Sequence, residues 1–182
     1  MLSVRVVAAP DVAKLVAAFP EDGAAPTSRH ADRFERQQRG EITALAAWDD
    51  QTPVGYLFLR WPGAVDATAQ CRSLGCAELA DLTVAALARR RGAGRMLLDT
   101  AEALAAERGY DRLGLEVTVD NPFNDAARAL YRRQGYRDAG FGVFTSGYTY
   151  WDAAGRPHRD EEPHCYLAKR LCTAGGKQCE RE

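Results

Sequence analysis

The sequence predicts an α+β domain in which a mixed, mostly antiparallel sheet is flanked by about four helices, and three observations carry that prediction. Two apolar runs, "ITALAAWDD" and "PVGYLFLRW", meet at the turn-rich "DDQTP" as the arms of an antiparallel hairpin do. A helix-periodic segment from Gly92 to Arg108 stands between two more strand-like runs, "AELADLTV" and "RLGLEVTV", as a crossover does. At 182 residues and 46% hydrophobic the chain can bury one sizeable core and is short for two. Residues 1–172 are therefore expected to form one domain.

In chain order, "SVRVV" is β-rich and "DVAKLVAAF" has helical spacing with Asp11 placed to cap it. "SRHADRFERQQRG" reads as a second helix ended by Gly40. The hairpin follows, then "PGAVDATAQCRSLG", a polar stretch without period that reads as a loop, then the strand "AELADLTV". Met96, Leu97, Ala101, Leu104 and Ala105 recur at three- and four-residue intervals and Gly109 supplies a stop, so this helix is the plainest element of all. "RLGLEVTV" is a strand and "NDAARALYRRQG" a helix capped by Asn124 and closed by Gly135. "YRDAGFGVFT" and "HCYLAKRL" read as the last strands. The tail 173–182, "TAGGKQCERE", lacks periodicity and is expected to be disordered.

Bulk properties exclude several classes. The net charge is −1 with both signs interleaved, so no whole-protein field draws nucleic acid or an anionic membrane, and any anion must be held locally. No run approaches the roughly 20 apolar residues that span a bilayer, and the opening breaks at Pro10 and Asp11 where a signal peptide would continue. A cytoplasmic location is the expectation. Five cysteines form no CxxC and His158 and His164 are not spaced as zinc ligands, so no metal site is expected. No neighbouring base activates a cysteine as a nucleophile.

The remaining oddity is "ARRRGAGRMLL", three arginines and two glycines opening an apolar helix. The first N–H groups of a helix have no intrahelical acceptor, glycines 92 and 94 permit close approach, and Arg89 and Arg91 add charge to the positive end of the helix dipole. A diphosphate fits there, as a hydrated turn also would. The stretch is not a dinucleotide fingerprint, since position 97 is Leu, and no Walker lysine follows.

"LTVAALARRRGAGRMLLDTAEALAAERG" resembles the acyl-CoA-binding segment of the GNAT superfamily of N-acetyltransferases, V-x-P-x-x-[RQ]-x-x-G-x-[GA], with Arg89, Gly92 and Gly94 in place and Ala86 where the proline stands. "NPFNDAARALYRRQGY" is similar to the family's N-x-x-A-x-x-L-Y-x-x-x-G-[FY], matched at Asn124, Ala127, Leu130, Tyr131, Gly135 and Tyr136. The resemblance implies a GNAT-like sheet in which the parallel strands "AELADLTV" and "RLGLEVTV" splay apart and the pantetheine arm lies in the opening like an added strand. It implies acetyl-CoA as co-substrate: backbone around Leu82 and Val84 against the arm, residues Arg89, Arg90, Arg91, Gly92, Ala93, Gly94 and Arg95 around the diphosphate, and Asn124 touching the arm. A homodimer is also compatible with it.

Acetyl transfer needs a neutral amine, a stabilised oxyanion and a proton for the departing thiolate. The resemblance makes Tyr131 the acid and puts the base on the strand that leads to the diphosphate turn. Glu78 is the candidate there, with Glu116 on the neighbouring strand in reserve, and a backbone N–H near Val84 would meet the oxyanion. By strand alternation Asp81 falls on the face opposite Glu78. Phe34 and Arg33 on the second helix and Tyr148, Tyr150 and Trp151 in the long segment "TSGYTYWDAAGRPHRDEEPH", with Asp160, Glu161 and Glu162 near the mouth, are candidates to line an amine pocket, and an ordinary extended hairpin turning at "DAAGRP" explains the same segment. The expected activity is transfer of an acetyl group to a primary amine of a small metabolite or antibiotic-like molecule. Acetylation of a protein lysine or N-terminus, or acyl-CoA sensing without catalysis, are the alternatives.

Overall fold

A computed structural model describes residues 1–20, 28–64, 66–119 and 121–172, and the tail expected to be disordered lies outside these. Strand β1 (Leu2–Val6) pairs antiparallel with β2 (Ile42–Asp49), which turns at Asp50, φ 52°, into β3 (Thr52–Arg60). Both hairpin strands are almost wholly buried, because helices cover both faces of the sheet here and leave no solvent face to alternate with. Strand β4 (Ala77–Val84) continues antiparallel to β3, and β5 (Arg112–Thr118) lies parallel to β4. Beyond them come β8 (Pro157–Arg170), β6 (Arg137–Asp138) and β7 (Phe144–Trp151), β7 pairing with β8 as a long hairpin. The result is a mixed, mostly antiparallel sheet with one parallel pair.

Helices α1 (Val12–Ala18), α2 (Arg29–Gln38) and α3 (Ala69–Leu74) lie on one face of the sheet. Helices α4 (Ala93–Glu107) and α5 (Asp125–Arg133) lie on the other. On the second face Leu97, Leu98, Ala101 and Ala105 of α4 are fully buried against Leu45, Leu57, Leu59, Leu79 and Leu115, each buried leucine worth about 2 kcal/mol. On the first, Leu15, Trp48, Tyr56 and Phe58 form a second core.

Four sequence expectations need correction. Helix α3 sits inside the stretch read as a loop: Thr68 Oγ1 accepts the Cys71 N–H at 3.0 Å and Gly75 ends the helix at φ 59°, but six residues are too few to show a period. Asp11 does not cap α1; its carboxylate accepts the Ala8 N–H at 3.0 Å and pairs with Arg5, so it holds the turn before the helix. Asn124 occupies the N-cap of α5 without a side-chain capping bond. The strand expected over "YRDAGFGVFT" is two separate pieces, β6 and the start of β7, interrupted where Gly140 and Gly142 take positive φ. The segment after it is the extended hairpin, turning at Asp152, whose Oδ1 accepts the Ala154 and Arg156 N–H groups at 2.9 Å each.

Candidate active site

Strands β4 and β5 pair at Ala77–Leu113, Glu78–Gly114 and Leu79–Leu115 and no further, although both strands run on. The backbone of β4 from Ala80 to Val84 thus pairs with β3 on one side and faces an opening on the other. A bulge produces the divergence. Phe58 opposes Ala80 and Tyr56 opposes Thr83, so β4 spends three steps where β3 spends two, with Asp81 at φ 57°.

The extra residue resets strand alternation. Ala77 and Leu79 face the α4 side, and after the bulge Leu82 and Val84 face it too. Asp81, expected opposite Glu78, instead shares its face: both line a cleft of about 860 Å³ on the α2 side. Its floor is Phe58 and Arg60 of β3, Glu78 to Asp81 of β4 and Glu116 of β5; its wall is Arg29, Asp32 and Arg33 of α2. The β7–β8 hairpin roofs it with Tyr148, Thr149, Tyr150, Trp151 and His164, and Ser146 Oγ donates to Glu116 Oε2 at 3.0 Å where the hairpin folds over. A second depression of about 850 Å³ shares Arg29, Tyr148, Tyr150 and Trp151 and adds Phe19, His30 and Tyr56.

Tyr131 comes from the opposite side. It belongs to α5 and to the α4-side core, yet it also lines the cleft, because the opening between β4 and β5 lets it through the sheet. Burial, and secondarily the Asp81 carboxylate, push its phenol well above the usual tyrosine range, so it is a neutral donor at ordinary pH. Glu78 is 1% exposed. Burial raises its pKa and nearby Glu116 adds to the rise, against the Arg60 guanidinium at 3.7 Å and the Thr68 N–H, which Oε2 accepts at 3.2 Å. A carboxylate so shifted is a better base near neutrality than a free one.

At the far end of β4 the chain turns twice through left-handed backbone, Arg90 at φ 61° and Gly92 at φ 95°, into α4. The first intrahelical bond is Met96 N–H to the Gly92 carbonyl at 3.0 Å, so the N–H groups from Gly92 to Arg95 have no helical acceptor and make a concave donor surface. A Cβ on Gly92 would meet nothing within 4 Å, so the surface is open, whereas one on Gly94 would lie 3.2 Å from Leu130. The arginines are partly engaged already. Arg89 Nε donates to the Val84 carbonyl at 3.2 Å, Arg91 pairs with Asp49 at 2.7 Å and Arg95 with Asp99 at 3.5 Å. The cradle therefore suits an anionic group through its backbone first and its side chains second.

The expected residues gather at two places. Tyr131, Glu78, Glu116, Tyr148 and Tyr150 line the cleft; Arg89 to Arg95 form the helix-start cradle; Leu82 and Val84 lie on the strand between. Asn124 stands at the start of the helix that carries Tyr131. Phe34 is not brought to the site: it packs into the core beneath α2, and His30 and Arg33 on the same helix face the depressions instead. Sequence reasoning missed Asp81, Arg60 and His164. Among the described residues no cluster of three His, Cys, Asp or Glu side chains could hold a metal, and no helix is long and apolar enough to cross a membrane.

Comparison with known proteins agrees with this geometry. The chain is 33% identical over 132 residues to a mycothiol acetyltransferase of Clavibacter sepedonicus, an alignment that covers 72% of this chain but only 39% of that protein. Its fold matches an N-acetyltransferase from Staphylococcus aureus Mu50 with a TM-score of 0.68 at 16% identity, over 94% of this chain and 99% of that one. It matches the ribosomal-protein-S18-alanine N-acetyltransferase of Escherichia coli with a TM-score of 0.62 at 21% identity, over 98% and 99%. The family model of the acetyltransferase (GNAT) family aligns with residues 11–136, a span that contains the splayed strands, the helix-start cradle and Tyr131. By that match the chain belongs to the acetyltransferase (GNAT) family.

Proposed function

We propose that the protein is an acetyl-CoA-dependent N-acetyltransferase acting on the primary amine of a small molecule. The observation that carries the proposal is the passage of Tyr131 through the opening between β4 and β5, which puts a neutral proton donor from one face of the sheet into a carboxylate-floored cleft on the other. Acetyl-CoA supplies the activated acetyl group. The donor surface at Gly92–Arg95 holds its diphosphate, with Arg89, Arg90 and Arg91 adding charge. The open edge of β4 around Leu82 and Val84 receives the pantetheine arm as an added strand, with Asn124 beside it. Glu116 favours the approach of the ammonium, Glu78 takes one of its protons, and the neutral amine adds to the thioester carbonyl, whose oxyanion a backbone N–H near Val84 steadies. As the C–S bond breaks, Tyr131 protonates the leaving thiolate and recovers a proton from the nitrogen that becomes the amide.

The roof formed by Tyr148, Tyr150 and Trp151 supports a small acceptor over a folded protein surface. The test is CoA thiol release from acetyl-CoA with amino acids, polyamines, arylalkylamines, aminoglycosides and lysine peptides. Release with small amines is expected. Release with peptides alone would overturn the small-acceptor reading, and silence across the panel, with acetyl-CoA bound, would overturn the catalytic one.

A further inference from the structure

Arg33 is a cation of the cleft whose presence the transfer chemistry does not explain. Arg33 is 7% exposed and lines the cleft wall. Its Nη2 donates to Asp81, and its guanidinium lies 4.5 Å from the Phe58 ring centroid and 5.4 Å from that of Tyr56. Its other terminal nitrogen, Nη1, is buried and has no hydrogen-bond partner among the described residues. A buried guanidinium with an unused donor costs stability in a way that an anionic oxygen, and no neutral group as well, would offset. Two carboxylates stand apart from Arg33: Glu116, which accepts the Ser146 hydroxyl, lies across the floor on β5, and Glu78 lies between. Asp32 and Asp81 lie beside the α2-wall arginines and Arg60 lies 3.7 Å from Glu78, so the two poles of the cleft are the unused donor of Arg33 at the wall and the Glu116 carboxylate across the floor.

We propose that Arg33 is a specificity-determining residue that takes the carboxylate of a free amino acid, whose amine points to Glu116 and Glu78. This rests on the transferase reading above and deepens it: the substrate class is the zwitterionic amino acid, whose two ends match the two ends of the cleft. A fork-shaped guanidinium, packed over Phe58 and Tyr56, offers its unused donor to a carboxylate without the ordering cost that a mobile lysine incurs. The second depression, lined by Phe19, His30 and Tyr56, leaves room for the amino acid side chain.

The experiment compares kcat/KM for matched acceptors: L-alanine with L-alaninamide, L-phenylalanine with L-phenylalaninamide, and L-lysine with L-lysinamide. The amides are less basic and carry more neutral amine at neutral pH, so amine basicity alone favours them. A preference of about tenfold or more for the acid over its amide, in at least one pair, is the expected result, as suits a charge-assisted contact. In folded Arg33→Gln and Arg33→Lys, judged by circular dichroism, that preference collapses through a raised KM for the acid. Amides acetylated as well as or better than every acid would overturn the inference while leaving the transferase reading intact. A preference that survives Arg33→Gln would overturn the role of Arg33. If neither acids nor amides nor simple amines are acetylated while acetyl-CoA binds, both readings fall.

Discussion

The Glu78 carboxylate lies 3.7 Å from the Arg60 guanidinium and still holds its proton more tightly than a free glutamate does, because the desolvation of a 1% exposed group outweighs the attraction. Ionisation of Glu78 should therefore appear as a rising limb in kcat/KM against pH, centred above the free glutamate value of about 4.3. Glu78→Gln should remove the limb and lower kcat by about a hundredfold. The folded state binds this proton more strongly than the unfolded one, so the wild type loses stability as pH rises through the shifted pKa. Thermal melts should show Glu78→Gln gaining on the wild type as pH rises from about 4.3, the free glutamate value, through the raised pKa. A limb that persists in the glutamine variant would remove Glu78 as the base.

Tyr131→Phe keeps the ring in the core and removes only the hydroxyl that reaches the cleft. Turnover should fall by about 10- to 100-fold with little change in the KM for acetyl-CoA, since the proton is needed only as the thiolate leaves. Steady-state kinetics decides it; unchanged kcat would take Tyr131 out of the chemistry.

Gly92 adopts φ 95° at the mouth of α4, where an added Cβ meets open space. Gly92→Val should cost about 1–2 kcal/mol of backbone strain. It should also raise the KM for acetyl-CoA, because the side chain would project over the donor surface. Calorimetry of CoA binding checks the second effect separately from the first.

His30 is buried edge-on against Tyr56, with ring centroids 4.8 Å apart, and its pKa is lowered to about 4 by that burial and by Arg33 and Arg29, with Asp81 opposing. The unfolded chain binds this proton from about pH 6.5, so acidification from there towards pH 4 should destabilise the protein by about 1–3 kcal/mol. Denaturant titrations at several pH values should find a shallower loss in His30→Phe.

A Cβ on Gly114 would fall within 2.5 Å of Tyr166 Cε1, so the hydroxyl end of the tyrosine ring fills the space beside the glycine. Gly114→Ala should cost about 1–3 kcal/mol by overpacking. The Tyr166 hydroxyl stands 3.7 Å from Cys76 Sγ, and its displacement should be visible as new thiol reactivity at Cys76.

Where side chains repeat with the period of their element, the fold was legible. The spacing of Met96 to Ala105 defined α4, and the two apolar runs defined β2 and β3, because burial on one or both faces writes directly into such patterns. The helix-start cradle was legible through Gly92, since positive φ leaves a chemical signature. Helix α3 was hidden by its shortness, and Phe34 was misplaced because its apolar side chain turns into the core while His30 turns to the second depression and Arg33 to the cleft. Asp81 was hidden for a different reason: alternation assumes that a strand advances evenly, and nothing in "AELADLTV" announces that it does not.

That extra step at Asp81 works like a shifted reading frame. Residues 77 and 79 before it and residues 82 and 84 after it share one side of the sheet, so parity changes within a single strand. Deleting one residue between Ala80 and Thr83 would restore even parity, turning Leu82 and Val84 out into the cleft and Thr83 into the core. Substitutions along this strand trade one side chain for another, but a one-residue deletion exchanges the inside and outside of everything that follows.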